Sequence, residues 1–383
     1  MISYLDIIVI EICNMEYGMK KIILIVVCFV FFLGIFIEST QALLTNLIYV
    51  DDDYNISTSG WGIDHFDRIQ DAINAAENND TIYVFNGAYY EHLNINKSIL
   101  LLGENKVNVI IDGSRINDVI VTNADNVTIS NCTIQYSGSH LNNSGIKIVA
   151  NKTNVFNTRL LNNSVGIHLL NCNNNSIEQN IAENNLYGIG VEYGNGNNSI
   201  KNNSVMSNNI TGIYLTYCSY DIIYGNSAIN NKYGIALSYS CNNKIGNNFC
   251  SNNMKDGITL FFCNKSEIYQ NTITSSMLGI SLTSSNRNNI FSNSIIINNN
   301  TGVKITLESN NNALYCNQIS QNYIGIHISV DSHENTYINN IFSQNSIKLL
   351  DESVTIKNKT TGFELFLLIL TIIFVIFIKR KRG

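Results

Sequence analysis

A phrase of about 22 residues recurs along most of this 383-residue chain and limits the folds open to it. Each copy carries paired Asn, then Gly-Ile-x-Leu, then Asn and Ile again, as in NNKYGIALSYSCNNKIGNN at residues 230–248. The glycine of the phrase recurs at spacings of 21 to 24 residues, at Gly145, Gly166, Gly188, Gly212, Gly234, Gly257, Gly279, Gly302 and Gly325. This period is typical of solenoids, in which each repeat packs on its neighbours.

Short runs within each repeat alternate apolar and polar residues, which predicts strands. After Gly234, Ile235 and Leu237 point inward, Ile245 begins a second strand and Cys250 lies on a third. Three strands joined by turns form one coil, and successive coils pair in parallel about 4.8 Å apart. The sequence therefore predicts an all-β, single-stranded parallel solenoid of about 12 coils over residues 82–350.

Equivalent positions of successive coils should stack like on like. The aliphatic column predicted inside the solenoid is Ile167, Ile189, Ile213, Ile235, Ile258, Ile280, Val303 and Ile326. The asparagine column predicted at a turn is Asn180, Asn203, Asn226, Asn248, Asn271, Asn293 and Asn317. Asparagine tolerates left-handed backbone, and stacked amides can hydrogen-bond between coils.

A row of aromatic residues also repeats, at Tyr193, Tyr217, Tyr239 and Phe262. The row has the same parity as the inward aliphatic residues, so we expect it in the core. A sugar-stacking surface is the alternative.

Cysteine spacing argues against a zinc or redox centre, since none of the nine Cys forms a CxxC pair. Cys172, Cys218, Cys241 and Cys263 follow the repeat glycine by six or seven residues, which indicates a small-residue position inside the coil. Cys241 lies one coil from both Cys218 and Cys263, so a disulfide within either pair is geometrically allowed.

The repeat resembles the right-handed parallel β-helix of the pectate-lyase-like superfamily, specifically its NosD-like group of carbohydrate-binding and sugar-hydrolase proteins. The resemblance covers residues 47–350 and includes IYVDDDY and GWGIDHFDRIQDAINAAENNDTIYVFNGAYYEHLNINKSILLLGE near the start. It implies that an amphipathic helix closes the N-terminal end of the solenoid. We expect that helix at residues 64–77, within a capping segment over residues 43–81. It leaves function open, because the fold hosts lyases, hydrolases, epimerases and binding proteins.

Both ends of the sequence contain apolar segments that are predicted to interact with a membrane. Residues 1–42 contain Lys20 and Lys21, an apolar run and a small-residue cleavage site, which predicts a secretory signal that starts at Met19. A retained N-terminal anchor is the alternative. Residues 363–383 hold an apolar run and a basic tail, which predicts a transmembrane anchor after a linker over residues 351–362.

The C-terminal arrangement resembles the sorting signals of archaeal surface proteins, although Thr361 replaces the usual proline. We therefore expect residues 43–361 on the cell surface. Sequons such as Asn126, Asn131, Asn209 and Asn264 would then be open to glycosylation. Charged residues are 14% of the chain, the net charge is −6 and the middle of the chain has no basic patch, which argues against a nucleic-acid partner.

The outward positions of the Gly-Ile-x-Leu strand show no catalytic pair. They are Lys147, His168, Gly190, Tyr214, Ala236, Thr259, Ser281, Lys304 and His327. Glycoside hydrolysis needs two carboxyl groups about 5–10 Å apart, and no neighbours in this column supply them. We therefore predict no catalytic residues. We predict a ligand-binding face at His168, Glu192, Tyr214 and Phe261, where aromatic faces and hydrogen-bonding groups suit an extended glycan.

No metal site or cofactor is predicted. His327, Asp331, His333 and Glu334 are close in sequence but need not converge, and Asp51–Asp53 suits a solvated turn better than a calcium loop. The family resemblance implies copper binding, and copper(I) prefers Met and Cys ligands. However, Met206, Met254 and Met277 are scattered at different positions of the repeat, so no copper site is predicted.

The resulting interpretation is a cell-surface β-helix without catalysis. It would bind surface or extracellular glycans or act as an adhesin-like stalk. The alternative is a polysaccharide lyase, hydrolase or epimerase.

Overall fold

The computed structural model describes residues 46–194 and 196–354. Three parallel sheets run the length of this part and wrap around one core, with two sheets of 12 strands and one of 14. The predicted all-β parallel solenoid of about 12 coils is confirmed. The predicted signal and anchor segments lie outside the described residues. Within residues 46–194 and 196–354, no helix is long and apolar enough to cross a membrane.

From Thr81 onward each turn contributes one strand to each sheet, and sheet A has two further strands at its N-terminal end. Sheet A contains, in spatial order, His65–Phe66, Leu47–Val50, Thr81–Val84, Leu100–Gly103, Thr128–Ser130, Asn154–Phe156, Ser176–Glu178, Ser199–Lys201, Ile222–Tyr224, Lys244–Gly246, Glu267–Tyr269, Asn289–Phe291, Ala313–Tyr315 and Thr336–Ile338.

Sheet B follows sheet A along each turn. Its strands are Gly87–Tyr89, Val109–Asp112, Thr133–Gln135, Arg159–Leu161, Ile181–Glu183, Ser204–Met206, Ser227–Ile229, Phe249–Ser251, Thr272–Thr274, Ser294–Ile296, Gln318–Ser320 and Ile341–Ser343.

Sheet C carries the Gly-Ile-x-Leu phrase and has the longest strands. They are Leu93–Ile95, Ile120–Thr122, Ser144–Ile148, Val165–Leu170, Tyr187–Glu192, Thr211–Thr216, Tyr233–Ser238, Asp256–Phe261, Leu278–Thr283, Thr301–Thr306, Ile324–Ile328 and Ile347–Asp351.

The helix near the N-terminal end runs from Ile69 to Ala75, shorter than the predicted 64–77. It starts later because His65–Phe66 pair as a strand with Tyr49 and Val50. Ile69 and Ile73 are fully buried. The carboxylate of Glu91 accepts hydrogen bonds from the first backbone N–H groups of the helix, at 2.8 Å from Ile69. A negative charge at this end stabilises the helix.

The predicted aliphatic column is confirmed. Ile235 pairs with Ile258, and Ile258 with Ile280, so that identical side chains stack at one-turn intervals. All three are fully buried. Branched aliphatic side chains suit this arrangement, because each fills the same space above its predecessor.

The predicted asparagine column is also confirmed, and it is fully buried. Nδ2 of Asn248 donates to the carbonyl oxygen of Ile223 at 3.0 Å and to Oδ1 of Asn271 at 2.9 Å. The backbone N–H of Asn248 donates to that same Oδ1. The ladder therefore satisfies main-chain groups that face the interior at the turn, which would otherwise be costly to bury.

One expectation for this column is wrong. The left-handed residue is the one before each ladder asparagine, such as Asn202 with φ of 53° or Asn247 with φ of 51°. Two further ladders occupy the other corners, where Asn231 accepts from Asn208 and Asp221 accepts from Asn198.

The cysteine column differs from the prediction in one position. Cys218 donates its backbone N–H to Oγ of Ser240, and Ser240 donates to Sγ of Cys263, so Cys218 and Cys263 lie two turns apart. Cys241 occupies the next position toward the surface and is half-buried. All three are free thiols, and neither disulfide forms.

Candidate functional site

A cleft of about 690 Å³ lies over the outer face of sheet C. Leu141 and Asn142 border one side of it, and the rest of its lining comes from the turns between Tyr187 and Thr283 and includes Tyr187, Glu192, Tyr214, Tyr233, Asp256 and Phe261. Three of the four residues of the predicted ligand-binding face therefore border one cleft, and His168 lies next to it in contact with Glu192.

Tyr214 lies across the cleft floor because its neighbour on the preceding turn is a glycine. Gly190 pairs with Tyr214 in the sheet, and a Cβ atom at Gly190 would lie 2.2 Å from Cζ of that ring. The ring also contacts Tyr187, with centroids 5.0 Å apart. Burial, and then the charge of Glu192, raise the pKa of Tyr214 well above its usual value. The phenol therefore stays protonated and can donate to Glu192.

His168 occupies an outward position of the strand but is only 2% exposed, so it cannot offer the open surface expected of it. Its Nε2 lies 3.7 Å from Oε2 of Glu192, an electrostatic contact rather than a well-formed hydrogen bond. The side chain of His168, and to a lesser extent the hydroxyl of Tyr214, lower the pKa of Glu192. His168, Glu192 and Tyr214 thus form one contact group.

Phe261 lies at the other side of the cleft, two turns beyond Tyr214. Its ring meets that of Phe262 edge to face, with centroids 4.5 Å apart, and 39% of the residue is exposed. It supplies an apolar border that is separate from the His168 contact group.

A second acid, Asp256, borders the cleft as well. Burial raises its pKa to about 6. It lies three turns from Glu192, about 14 Å along the solenoid axis. That separation exceeds the distance between the two carboxyl groups of a glycosidase, so the cleft lacks this kind of acid–base pair.

Asp256 and Tyr187 were not identified from the sequence, because their parity along the strand is that of inward residues. Each precedes a repeat glycine and shares the parity of Ile258 or Ile189. In the fold both reach the cleft instead.

The aromatic row Tyr193, Tyr217, Tyr239 and Phe262 is not in the core, so that expectation is wrong. These residues are 42% to 50% exposed. Each has a positive φ, such as 54° at Tyr217, which ends the inward–outward alternation of the strand. Their rings stack 5.0 to 5.3 Å apart and within 12° of parallel. Because stacked rings cover each other's faces, the row presents mainly edges to a ligand.

The two metal-capable segments behave differently. His327 contacts Glu352 at 3.6 Å, and Asp331 accepts hydrogen bonds from Ser329 and Ser332, so the HISVDSHE segment does not converge on one point. Ligand atoms of Asp51, Asp52 and Asp53 lie within 4.8 Å of one another. In the part of the chain that the structure describes, no other group of three His, Cys, Asp or Glu residues converges in this way.

The sequence matches the family described as periplasmic copper-binding protein (NosD) in three overlapping stretches, residues 73–277, 188–323 and 228–361. No curated protein sequence matches the chain significantly.

Among solved structures, the A-module of the Azotobacter vinelandii mannuronan C-5 epimerase AlgE4 is similar, with 15% identity and a TM-score of 0.59 over 71% of this chain and 88% of that one. The complex of XylC with xylose matches at 10% identity and a TM-score of 0.55, over 72% of this chain and 75% of that one. The Dettilon tailspike protein matches at 16% identity and a TM-score of 0.53, over 78% of this chain and 70% of that one. At these identities the likeness concerns the fold.

Proposed function

The chain belongs to the NosD family of right-handed, pectate-lyase-like β-helices, and from this premise we propose that it is a non-catalytic protein outside the cytoplasm that binds glycans in the cleft over sheet C. One observation carries the proposal: Tyr214 and Phe261 border the same open cleft as the carboxylates of Glu192 and Asp256. Aromatic faces pack against the apolar faces of sugar rings, and carboxylates accept hydrogen bonds from sugar hydroxyls.

The printed names of the structural relatives are compatible with a sugar ligand. Two of them are an epimerase of mannuronan and a complex with xylose. These names describe those proteins, and they support the choice of glycans as the first ligand class to test.

The enzymatic alternative, a polysaccharide lyase, hydrolase or epimerase, has less support in the cleft. Glu192 and Asp256 are too far apart to act on one glycosidic bond. His168 and Tyr214 lower the pKa of Glu192, which favours an ionised acceptor over a proton carrier.

Copper, which the family description names, does not fit the described residues. Burial raises the pKa of the thiols of Cys132, Cys172, Cys218, Cys250 and Cys263 to about 12, so they remain protonated and are poor metal ligands. Met254 and Met277 lie closer to each other than predicted, because they follow equivalent ladder positions on adjacent turns. Both are exposed. Within residues 46–194 and 196–354, no group of three His, Cys, Asp or Glu residues that includes a cysteine converges.

The location proposed for the protein is the cell surface, anchored through residues 363–383. The family description places its members in the periplasm, which agrees with a location outside the cytoplasm. The anchor rests on the apolar sequence and the basic tail.

The test begins with the full-length chain, purified in detergent, on a glycan array. The double variant Tyr214→Ala with Phe261→Ala should lose at least tenfold in affinity for the best array ligand, about 1.4 kcal/mol. Tyr323→Ala, an exposed tyrosine outside the cleft, is the matched control and should bind like the wild type. Equal binding by all three proteins would remove the cleft as the site. Release of reducing ends or unsaturated uronates from any bound polymer would establish the enzymatic alternative instead.

A further inference from the structure

A second cleft, of about 590 Å³, lies at the corner between sheet C and the following strands of sheet A. It runs over four successive turns, from Cys241 to Asn311, about 14 Å along the axis. Its lining differs from that of the first cleft, because it contains two cations, five asparagines and no acidic side chain.

The two cations, Lys265 and Arg287, occupy equivalent places on adjacent turns. The backbone N–H of Lys265 donates to the carbonyl oxygen of Asn286 at 3.1 Å, which fixes the one-turn offset. Both residues have a left-handed backbone, with φ of 57° and 58°, and both are exposed. Like charges placed opposite each other in a sheet repel, so this juxtaposition costs stability unless an anion lies between them.

The protein does not neutralise this pair. Within residues 46–194 and 196–354, no carboxylate lies within 4.0 Å of either Lys265 or Arg287. The acid closest in sequence, Glu267, faces Lys244 on the preceding turn at 3.9 Å. Some other cations of the solenoid do face a carboxylate, as Arg159 faces Glu183 at 2.6 Å and Lys147 faces Asp118 at 3.3 Å.

Three asparagines add hydrogen-bond donors to the cleft. Oδ1 of Asn264 accepts from the backbone N–H of Asn286 at 2.9 Å, and Oδ1 of Asn286 accepts from Asn310 at 2.6 Å. Asn310 accepts in the same way from His333. Because each oxygen is used within the ladder, the Nδ2 groups are left as donors, and no protein acceptor for them lies in the described part of the chain.

We propose that this cleft binds the oxyanionic groups of an acidic polysaccharide, which are carboxylates of uronic acids or sulfate esters. Positive charge and N–H donors without a competing acid suit both groups, and the guanidinium of Arg287 can bind either in a bidentate manner. Four turns give room for more than one charged group along the chain. This site is separate from the cleft over sheet C and does not depend on the function proposed for it.

The test uses the full-length chain and three polymers: dextran sulfate, polygalacturonate and uncharged dextran. Wild-type protein in low-salt buffer should bind at least one of the two charged polymers, and binding should weaken as salt is added. The double variant Lys265→Gln with Arg287→Gln should lose at least tenfold in affinity for that polymer. The polymer that binds identifies the anion as sulfate or carboxylate.

The matched control is Lys152→Gln with Lys348→Gln, which removes the same formal charge. Lys152 has the same left-handed corner position on a turn outside the cleft. The control should keep wild-type affinity for the charged polymer. The proposal is overturned if neither charged polymer binds, if the cleft variant binds like the wild type, or if the control loses as much affinity as the cleft variant.

Discussion

Gly190 lies directly against the ring of Tyr214, and a Cβ atom there would approach Cε1 to 2.3 Å and the hydroxyl oxygen to 2.4 Å. The missing side chain on one turn therefore sets the position of an aromatic ring on the next. Through that ring it also positions the phenol beside Glu192, at the floor of the proposed glycan cleft.

Gly190→Ala should therefore weaken glycan binding without unfolding the solenoid. The new methyl group displaces the Tyr214 ring, and we expect roughly a tenfold loss of affinity, about 1.4 kcal/mol. Titration of the array ligand against both proteins measures the loss. Gly246→Ala is the control, because Gly246 lies against the ring of Tyr269 in the same way, with 2.4 Å to Cζ, but on sheet A. A variant at 190 that binds no worse than the variant at 246 would contradict the role of Tyr214.

Asn248→Ala should destabilise the solenoid strongly. The change leaves the carbonyl oxygen of Ile223 and the backbone N–H of Asn226 without their buried partners. An unsatisfied buried group costs about 1–3 kcal/mol, so we expect a loss of about 3 kcal/mol or more. Chemical denaturation followed by circular dichroism measures it. Asn299→Ala, at an exposed position beside the ladder, should change stability by less than about 0.5 kcal/mol. Similar losses in the two variants would mean that the ladder is not the cause.

Asp221→Asn should stabilise the protein above pH 6. Asp221 replaces asparagine in a buried ladder, its Oδ2 has no hydrogen-bond partner, and burial raises its pKa to about 6 from an ordinary 3.8. The folded state therefore holds a proton that the unfolded state has lost between these values, so stability falls as pH rises from about 4 to 6. The shift corresponds to about 3 kcal/mol.

Melting temperatures of both proteins at pH 4 and pH 7.5 measure this difference. The advantage of Asp221→Asn over the wild type should be small at pH 4 and large at pH 7.5, since Asn198 and Asn243 show that an amide fits this ladder. An advantage independent of pH would show that Asp221 ionisation is not responsible.

Truncation after Asn358 should release the protein from the membrane fraction into the medium. The full chain should fractionate with membranes because it keeps the apolar run beyond residue 363. The truncated form lacks this run. Immunoblots of membrane, cytoplasm and medium distinguish the cases. Recovery of the truncated protein in the cytoplasm would refute the secretory signal, and recovery of the full chain in the medium would refute the anchor.

The repeat predicted the architecture well because stacking is a local rule. A buried column needs the same side chain at the same place on each turn, so Ile258 and Asn248 are recognisable from their period alone. The side of the strand on which a residue lies is also predictable, as long as the alternation is unbroken.

The inward–outward alternation gave a wrong prediction at positions where the backbone φ angle becomes positive. Tyr217 follows the last strand residue with a φ of 54°, which turns its ring outward although its parity is that of the core. No residue type marks this change, because tyrosine, phenylalanine and serine all occupy such positions in this chain.

The clefts were harder to predict, since they depend on residues about 22 positions apart. Lys265 and Arg287 are isolated cations in the sequence and become neighbours only through the register of the turns. The burial of His168 likewise depends on residues of other turns, such as Glu192, that pack against it.

Each ladder bond joins one turn only to the next, as between Asn248 and Asn271. A gene duplication that inserts one complete repeat would therefore add a turn that can form the same ladder bonds with the turns before and after it. The surfaces on more distant turns would stay unchanged. The length of such a solenoid can accordingly evolve in steps of about 4.8 Å, without changing the surfaces of its other turns.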